Sequence, residues 1–189
     1  MKKITLGVML ITTLAFSQQT ENTLPYYELP EAATLFTAGT VASRQVDALG
    51  FRLYWSTKDL NATDLEHKPT PESRTVHETL AHIYDLSHVV LNATLQQPHI
   101  KVNSEGMTYE DLRSATLNNL KKASDLLRAS DDISKFRIIF GDKEYEFWNA
   151  INGPISDAIW HCGQIATSRR VSGNPIDSRV QHFTGTVKK

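Results

Sequence analysis

The stretch from Glu31 to about Lys58 repeats apolar residues at intervals of three, four and seven residues, as one face of an α-helix does. Gly39 and Gly50 lower the helix propensity of this stretch, although a glycine can also allow a neighbouring helix to approach closely. The pattern predicts a first helix, whose apolar positions are Leu35, Ala42, Val46, Leu49 and Leu53.

Two further helices begin at capping signals. Thr75 as N-cap and Glu78 three residues later form a capping box, which predicts a second helix that continues to about Leu95, with Pro98 beyond its end. The run T-Y-E-D repeats the signal at Thr108 and predicts a third helix. The apolar face of this third helix comprises Leu112, Thr116, Leu120, Ala123 and Leu127.

The run F-R-I-I-F-G-D-K-E-Y-E-F-W follows the third helix, and its Gly-Asp pair separates a β-branched run from an alternating one. It predicts a short hairpin or an extended crossover. A fourth helix is predicted to open with Pro154 at its first helical position and to end before Gly173. Four helices with one long connection predict an all-α four-helix bundle. The core positions expected in the last helix are Ile155, Ile159, Cys162 and Ala166.

Composition narrows the class of protein. The chain has 189 residues, of which 40% are hydrophobic, and this is typical of one globular domain. Lysine and arginine number 20 against 21 acidic residues, so the formal net charge is -1. Such a chain lacks the positive field that nonspecific nucleic-acid binding requires, and we expect no nucleic-acid partner. Symmetric dimers are common, which makes a homodimer a reasonable expectation.

The first residues combine a Lys-Lys pair, an apolar run and the small residues Ala15 and Ser17, the layout of a secretory signal peptide. We expect cleavage near Ser17, a periplasmic or secreted protein, and no membrane span after cleavage; an uncleaved anchor is the alternative. The expected division is a signal peptide over 1–17, a lead-in over 18–30, the bundle over 31–180 and a flexible tail over 181–189. The single cysteine, Cys162, has no internal disulfide partner and is expected to be a small core residue.

Three polar residues are predicted to face the interior of the bundle. Asp157 and His161 lie one turn apart on the flank of the last helix, while His82 shares the inward face of the second helix with Leu86 and Val89. Two imidazoles and one carboxylate with an open coordination position suit zinc or non-haem iron. In the alternative interpretation, Asp157 stabilises the positive end of its helix and pairs only with His161.

The other candidates around this site have simpler interpretations. Glu78 could be a ligand but already serves the capping box, and Asp85 could orient the ring of His82. A substrate pocket could be walled by the aromatic residues Tyr54, Trp55, Tyr145 and Trp148. The remaining histidines are expected at the surface, namely His67, His77, His88, His99 and His182.

The runs E-T-L-A-H-I around His82, D-A-I-W-H-C-G-Q-I around His161, R-R-V-S-G-N-P and L-G-F-R-L-Y-W-S-T together resemble the DinB-like superfamily. The resemblance implies a bundle in up-down-down-up order and a metal-dependent hydrolase or thiol transferase that acts on a small-molecule substrate. It implies a divalent transition metal (zinc, nickel or iron) held by one histidine on the second helix and an H-x-x-x-H pair on the last. His82 and His161 match this pattern, whereas Asp157 stands where the family has histidine.

A noncatalytic function is the competing hypothesis. In that case the chain is an exported helical bundle that binds a small ligand or a partner protein, and His82, Asp157 and His161 form a structural polar cluster or a metal staple. A structural metal has no open coordination position, whereas an enzyme needs one.

Overall fold

The computed structural model describes residues 24–189, so the predicted signal peptide and residues 18–23 of the lead-in lie outside the described residues. The chain is mostly helical, in agreement with the all-α prediction. Four helices are long: α1 (Ala38–Thr57), α3 (Val76–Leu95), α4 (Tyr109–Arg128) and α6 (Ser156–Val171). Two are short: α2 (Ala62–Glu66) and α5 (Phe147–Ala150). No helix within residues 24–189 has both the length and the apolar composition that crossing a membrane requires.

The four long helices enclose one hydrophobic core. Helix α4 packs against both α1 and α3, and α6 also contacts both α1 and α3. Each long helix therefore has two long neighbours, and its apolar face is buried between them. The largest fully buried side chains in this core include Leu49, Leu53, Leu80, Leu117, Leu120 and Ile165.

The capping signals at the starts of α3 and α4 are confirmed. Thr75 Oγ1 accepts a hydrogen bond from the Glu78 N–H at 2.9 Å, and Glu78 Oε2 accepts from the Thr75 N–H at 2.7 Å. Thr108 Oγ1 likewise accepts from the Asp111 N–H at 3.1 Å. Helix α3 ends at Leu95, where the sequence predicted its end.

The predicted start of the first helix is wrong by seven residues. The helix begins at Ala38 and not at Glu31. Thr37 is its N-cap, and the Thr37 hydroxyl accepts a hydrogen bond from the Thr40 N–H at 3.2 Å. The expected close approach at Gly39 is confirmed, because a Cβ there would lie 2.1 Å from the carbonyl oxygen of Ser130. Glycine at this position thus lets the end of α4 pack directly against the start of α1.

Two small hairpins complete the fold. Strands β1 (Arg137–Phe140) and β2 (Lys143–Glu146) pair antiparallel before the last helical segment, which confirms the hairpin alternative of the prediction. Strands β3 (Val180–Gln181) and β4 (Thr186–Val187) pair near the C-terminus. Part of the tail predicted as flexible therefore has regular backbone pairing, while its flexibility stays a prediction.

The last helical run begins earlier than predicted. Helix α5, a π-helical turn over Ile151–Ile155 and α6 follow one another without a break, so Pro154 lies inside the run and not at its start. A π-turn accommodates proline because the wider spacing relieves the bond that proline cannot donate. The Ser156 N–H donates to the carbonyl of Ile151, five residues earlier, and the Ser156 hydroxyl donates to the same oxygen at 2.6 Å.

The buried face of α6 also differs from the prediction. Ile159 and Ala166 are only half-buried, because the helix is turned so that a neighbouring row of side chains faces α1 and α3. This rotation brings the flank that carries Asp157 and His161 closer to α3. The buried residues of the π-helical turn and α6 are Pro154, Ile155, Ala158, Cys162, Ile165, Ser168 and Arg169.

Two aspartates, Asp47 and Asp64, lie wholly inside the described part of the protein, and Asp47 joins two long helices. Asp47 on α1 has no exposed surface, and its two oxygens face α4. Ser124 donates its hydroxyl proton to Asp47 Oδ1 at 2.5 Å, and the guanidinium of Arg128 donates to Oδ2. A buried charge is tolerated only with such partners, so this cluster fixes α1 against α4.

Candidate metal centre

The structure brings His82, Asp157 and His161 together where α3 meets α6. His82 Nε2 lies 3.3 Å from Asp157 Oδ2, and His161 Nε2 lies 3.4 Å from Asp157 Oδ1. One candidate ligand atom from each of the three residues lies within 4.8 Å of the other two. We call these three residues the triad.

The local fold explains this convergence. Helix α3 carries His82 in its first two turns, and both α6 and the π-helical turn before it pack against α3. Asp157 and His161 are separated by four residues, so both side chains project from one side of α6. The two imidazole rings lie nearly perpendicular, at an interplanar angle of 86° and a centroid separation of 4.8 Å.

The triad lies at the edge of the core and not inside it. The exposed fractions of the side chains are 28% for His82, 40% for Asp157 and 13% for His161. A carboxylate that retains this much contact with water does not require a permanent protein counterion. A small ion or molecule can therefore reach the triad from solvent.

Gln164 fixes the orientation of one ring. His161 Nδ1 lies 2.8 Å from Gln164 Oε1, an acceptor, and the other ring nitrogen, Nε2, faces Asp157. An amide or carboxylate that holds the second nitrogen in this way is usual for a metal-binding histidine. Sequence reasoning missed Gln164, although its position three residues after His161 on one helix was the available signal.

The donor set fits a divalent metal ion. Two ligands at about 2.1 Å from a tetrahedral ion lie about 3.4 Å apart. His82 Nε2 and His161 Nε2 lie 3.3 and 3.4 Å from Asp157, each facing a different oxygen of the carboxylate. His161 Nε2 and Asp157 Oδ1 face each other, and a cation between them would be held by both atoms. Within the described part of the chain, no other group of His, Cys, Asp or Glu side chains has this geometry.

The acidic residues near the triad have other partners. Glu78 serves the capping box, as the simpler interpretation held. The hypothesis that Asp85 orients His82 is wrong, since Asp85 Oδ1 accepts from the Val102 N–H at 3.3 Å and lies 3.5 Å from His99 Nε2.

The prediction that His99 lies at the surface is also wrong. Its side chain is only 7% exposed, although its loop position predicted a surface residue. The loop after α3 folds back onto the first hairpin, where the His99 N–H donates to the carbonyl of Ile139 at 2.8 Å and the ring contacts Phe140. Pairing between distant segments, which the sequence pattern does not reveal, buries this histidine.

Cys162 is a core residue, as expected. It follows His161 in sequence but points into the interior, where 2% of its surface is exposed. Burial raises the pKa of its thiol to about 12. The thiol therefore stays protonated at neutral pH and does not supply a nucleophile to the triad.

A cleft of about 350 Å³ lies beside His161, between the loop that precedes α3 and one face of α6. Arg74, Gln164 and Ser168 contribute to its walls. The aromatic residues proposed as pocket walls are not among its lining residues. Two of them, Tyr54 and Trp55, are buried in the core, and the other two, Tyr145 and Trp148, are exposed at the first hairpin and α5.

Comparison of the chain with models of known protein families and with curated proteins found no match. The interpretation of the triad therefore depends on its geometry and on the sequence motifs that surround it.

Proposed function

We propose that this chain is an exported member of the DinB-like superfamily, a four-helix bundle in up-down-down-up order that uses a divalent metal for hydrolysis or thiol transfer. His82, Asp157 and His161 are the proposed ligands. The substrate is a small molecule.

One observation carries the proposal. Three side chains of metal-binding type, from two helices, present ligand atoms within 4.8 Å of one another. These three residues correspond to the ligand positions of the family. His82 and Asp157 meet although they are 75 residues apart in sequence. Convergence of this kind is how helical bundles build metal sites.

The donor types support zinc, nickel or iron as the metal. Imidazole nitrogen suits all three metals, and one carboxylate adds a harder oxygen ligand. A divalent cation bound there would act as a Lewis acid and would activate water or a substrate thiol. The chain itself supplies the two oriented nitrogens, the carboxylate and the hydrogen bond from His161 to Gln164.

Exposure favours a catalytic site over a structural metal staple. A structural zinc is usually enclosed by four protein ligands, whereas the triad offers three and Asp157 remains 40% exposed. The cleft beside His161 gives a small molecule room to approach. An exported binding protein with a structural metal would need neither feature.

The first test is metal analysis of the mature protein, purified without chelator, beside its Asp157→Ala variant. We expect near-stoichiometric divalent metal in the wild type and its loss in the variant. Asp125→Ala is the matched control, because Asp125 is an exposed helical aspartate that pairs with Lys121. That control should retain the metal.

Two results would count against the proposal. No metal after reconstitution with zinc, nickel or iron would make the triad a structural polar cluster. Stoichiometric metal without hydrolysis or thiol transfer on a broad substrate panel would favour the exported binding protein.

A further inference from the structure

The cleft beside His161 has the size and the mixed lining of a small-molecule site. Its volume of about 350 Å³ is within the range of ligand pockets. Val76 and Ile165 supply apolar surface, and Ser168 and Arg74 supply polar groups. His161 belongs to both the cleft lining and the triad, whereas His82 and Asp157 do not line the cleft, so a molecule in the cleft would be separated from the proposed metal by about the width of the His161 ring.

Arg74 is the cationic residue in this lining. Across residues 24–189, its guanidinium makes no hydrogen bond or ion pair. Other arginines of the fold are committed: Arg128 bonds Asp47, and Arg169 bonds the carbonyl oxygens of Trp55, Ser56 and Asn174. Arg74 therefore retains its full set of donors for a ligand.

Glu78 lies near Arg74 but does not pair with its guanidinium. Glu78 directs its carboxylate back to the Thr75 N–H at 2.7 Å as part of the helix cap. Chiefly because of that hydrogen bond, the pKa of Glu78 is lowered, with smaller contributions from the positive charges of Lys68 and Arg74. Glu72 also lies beside Arg74 on this loop, and within residues 24–189 neither Glu72 nor Glu78 forms an ion pair with the guanidinium.

We propose that this cleft is the substrate site of the metal centre and that Arg74 selects substrates that carry a carboxylate. The inference rests on the proposed function, which it extends to a substrate class. A guanidinium matches the two oxygens of a carboxylate and can donate to both. The divalent charge at the triad, only partly offset by Asp157, attracts the same substrates.

The test uses pairs of metal-chelating probes of equal length. Succinic, glutaric and adipic monohydroxamates each carry a terminal carboxylate, and the matched alkyl hydroxamates end in a methyl group. Both members of a pair bind a metal through the same hydroxamate. Binding to the zinc-loaded protein is measured by calorimetry, so the readout is affinity and does not depend on turnover.

We expect the carboxylate member of at least one pair to bind about fivefold more tightly to the wild-type protein, the effect of an accessible ion pair. Arg74→Gln should remove this preference without changing the affinity for the alkyl probe. Lys68→Gln is the matched control, because Lys68 lies on the same loop but outside the cleft lining, and it should keep the preference. Arg74 is exposed, so both variants should fold, which circular dichroism checks.

The outcomes separate the two proposals. Equal affinities within every pair, or a preference that survives in Arg74→Gln, would overturn the carboxylate site and leave the metal centre in place. Failure of the protein to take up zinc, with no binding of any hydroxamate, would overturn the metal centre and this inference together.

Discussion

Two aspartates in this protein each join a pair of helices, yet their surroundings are opposite. Asp47 is fully buried between α1 and α4, and Ser124 and Arg128 satisfy its oxygens. Asp157 lies between α6 and α3 with 40% of its side chain exposed, and two imidazoles face it at 3.3 and 3.4 Å. The partner of Asp47 includes the permanently charged guanidinium of Arg128, whereas both partners of Asp157 are histidines.

This difference separates a structural role from a functional one. A buried carboxylate with a permanent counterion holds the fold together, and removing either partner leaves an uncompensated group in the interior. A half-exposed carboxylate between two imidazoles contributes little to stability and is free to bind an exchangeable cation. If the two aspartates divide in this way, replacing Asp47 should mainly lower stability and replacing Asp157 should mainly abolish metal binding.

The largest effect is expected for Asp47→Ala. Loss of this carboxylate deprives Ser124 and Arg128 of their acceptor, so the free energy of unfolding should fall by about 3 kcal/mol. Urea denaturation of the metal-free protein measures it. Asp125→Ala, one residue after Ser124 but exposed, should change the free energy of unfolding by less than about 0.5 kcal/mol. If both variants lower the free energy of unfolding by similarly small amounts, Asp47 does not hold α1 against α4.

Zinc should stabilise the wild type by about 2.7 kcal/mol when its free concentration is one hundred times the dissociation constant. Asp157→Ala should lose this increment. Asp47→Asn should keep it, because the Asp47 cluster and the triad join different helix pairs and contact different residues. Thermal unfolding with and without zinc measures the increments. If zinc stabilises Asp157→Ala but not Asp47→Asn, zinc binds at Asp47 and not at the triad.

Gln164→Ala should weaken zinc affinity by about tenfold, since the ring of His161 loses the acceptor that orients it. Gln164→Glu keeps an acceptor at the same position and should retain the affinity. Competition with a chromophoric chelator gives both values. If the alanine variant binds zinc as tightly as the wild type, the hydrogen bond between His161 and Gln164 has no part in metal binding.

The smallest effect is expected for Asp157→Ala without metal. Its two contacts to histidine are half-exposed, so the free energy of unfolding should change by less than about 0.5 kcal/mol. Urea denaturation in the presence of a chelator isolates this contribution. If the free energy of unfolding falls by more than about 2 kcal/mol, Asp157 has a structural role like that of Asp47, which supports the interpretation of the triad as a structural polar cluster.

Features of the fold that depend on neighbouring residues in sequence could be predicted from sequence. The starts of α3 and α4 follow from hydrogen bonds between Thr75 and Glu78 and between Thr108 and Asp111, each three residues apart. The first hairpin follows from its Gly141 turn. The triad was also predictable, because helical periodicity gives the face of each polar residue.

Features that depend on distant segments could not be predicted. Asp47 gives no local signal for the partners that it finds on α4, some 80 residues later. His99 is buried only because its loop packs on a hairpin 40 residues away. Pro154 has the local appearance of a helix start, and only the continuation of the run from Phe147 makes it the interior of a π-turn. Tertiary packing overrides local preference in each case.

The π-helical turn at Ile151–Ile155 sets the angular phase of α6 relative to the start of the helical run at Phe147. Deleting one residue from this turn would restore ordinary α-helical spacing and would rotate every later side chain by about 100° about the helix axis. Asp157 and His161 would then leave the side that meets His82, although no ligand had been replaced. The number of residues in this segment thus determines the triad as much as the chemical identity of its members does. A change of one residue in its length would abolish the triad.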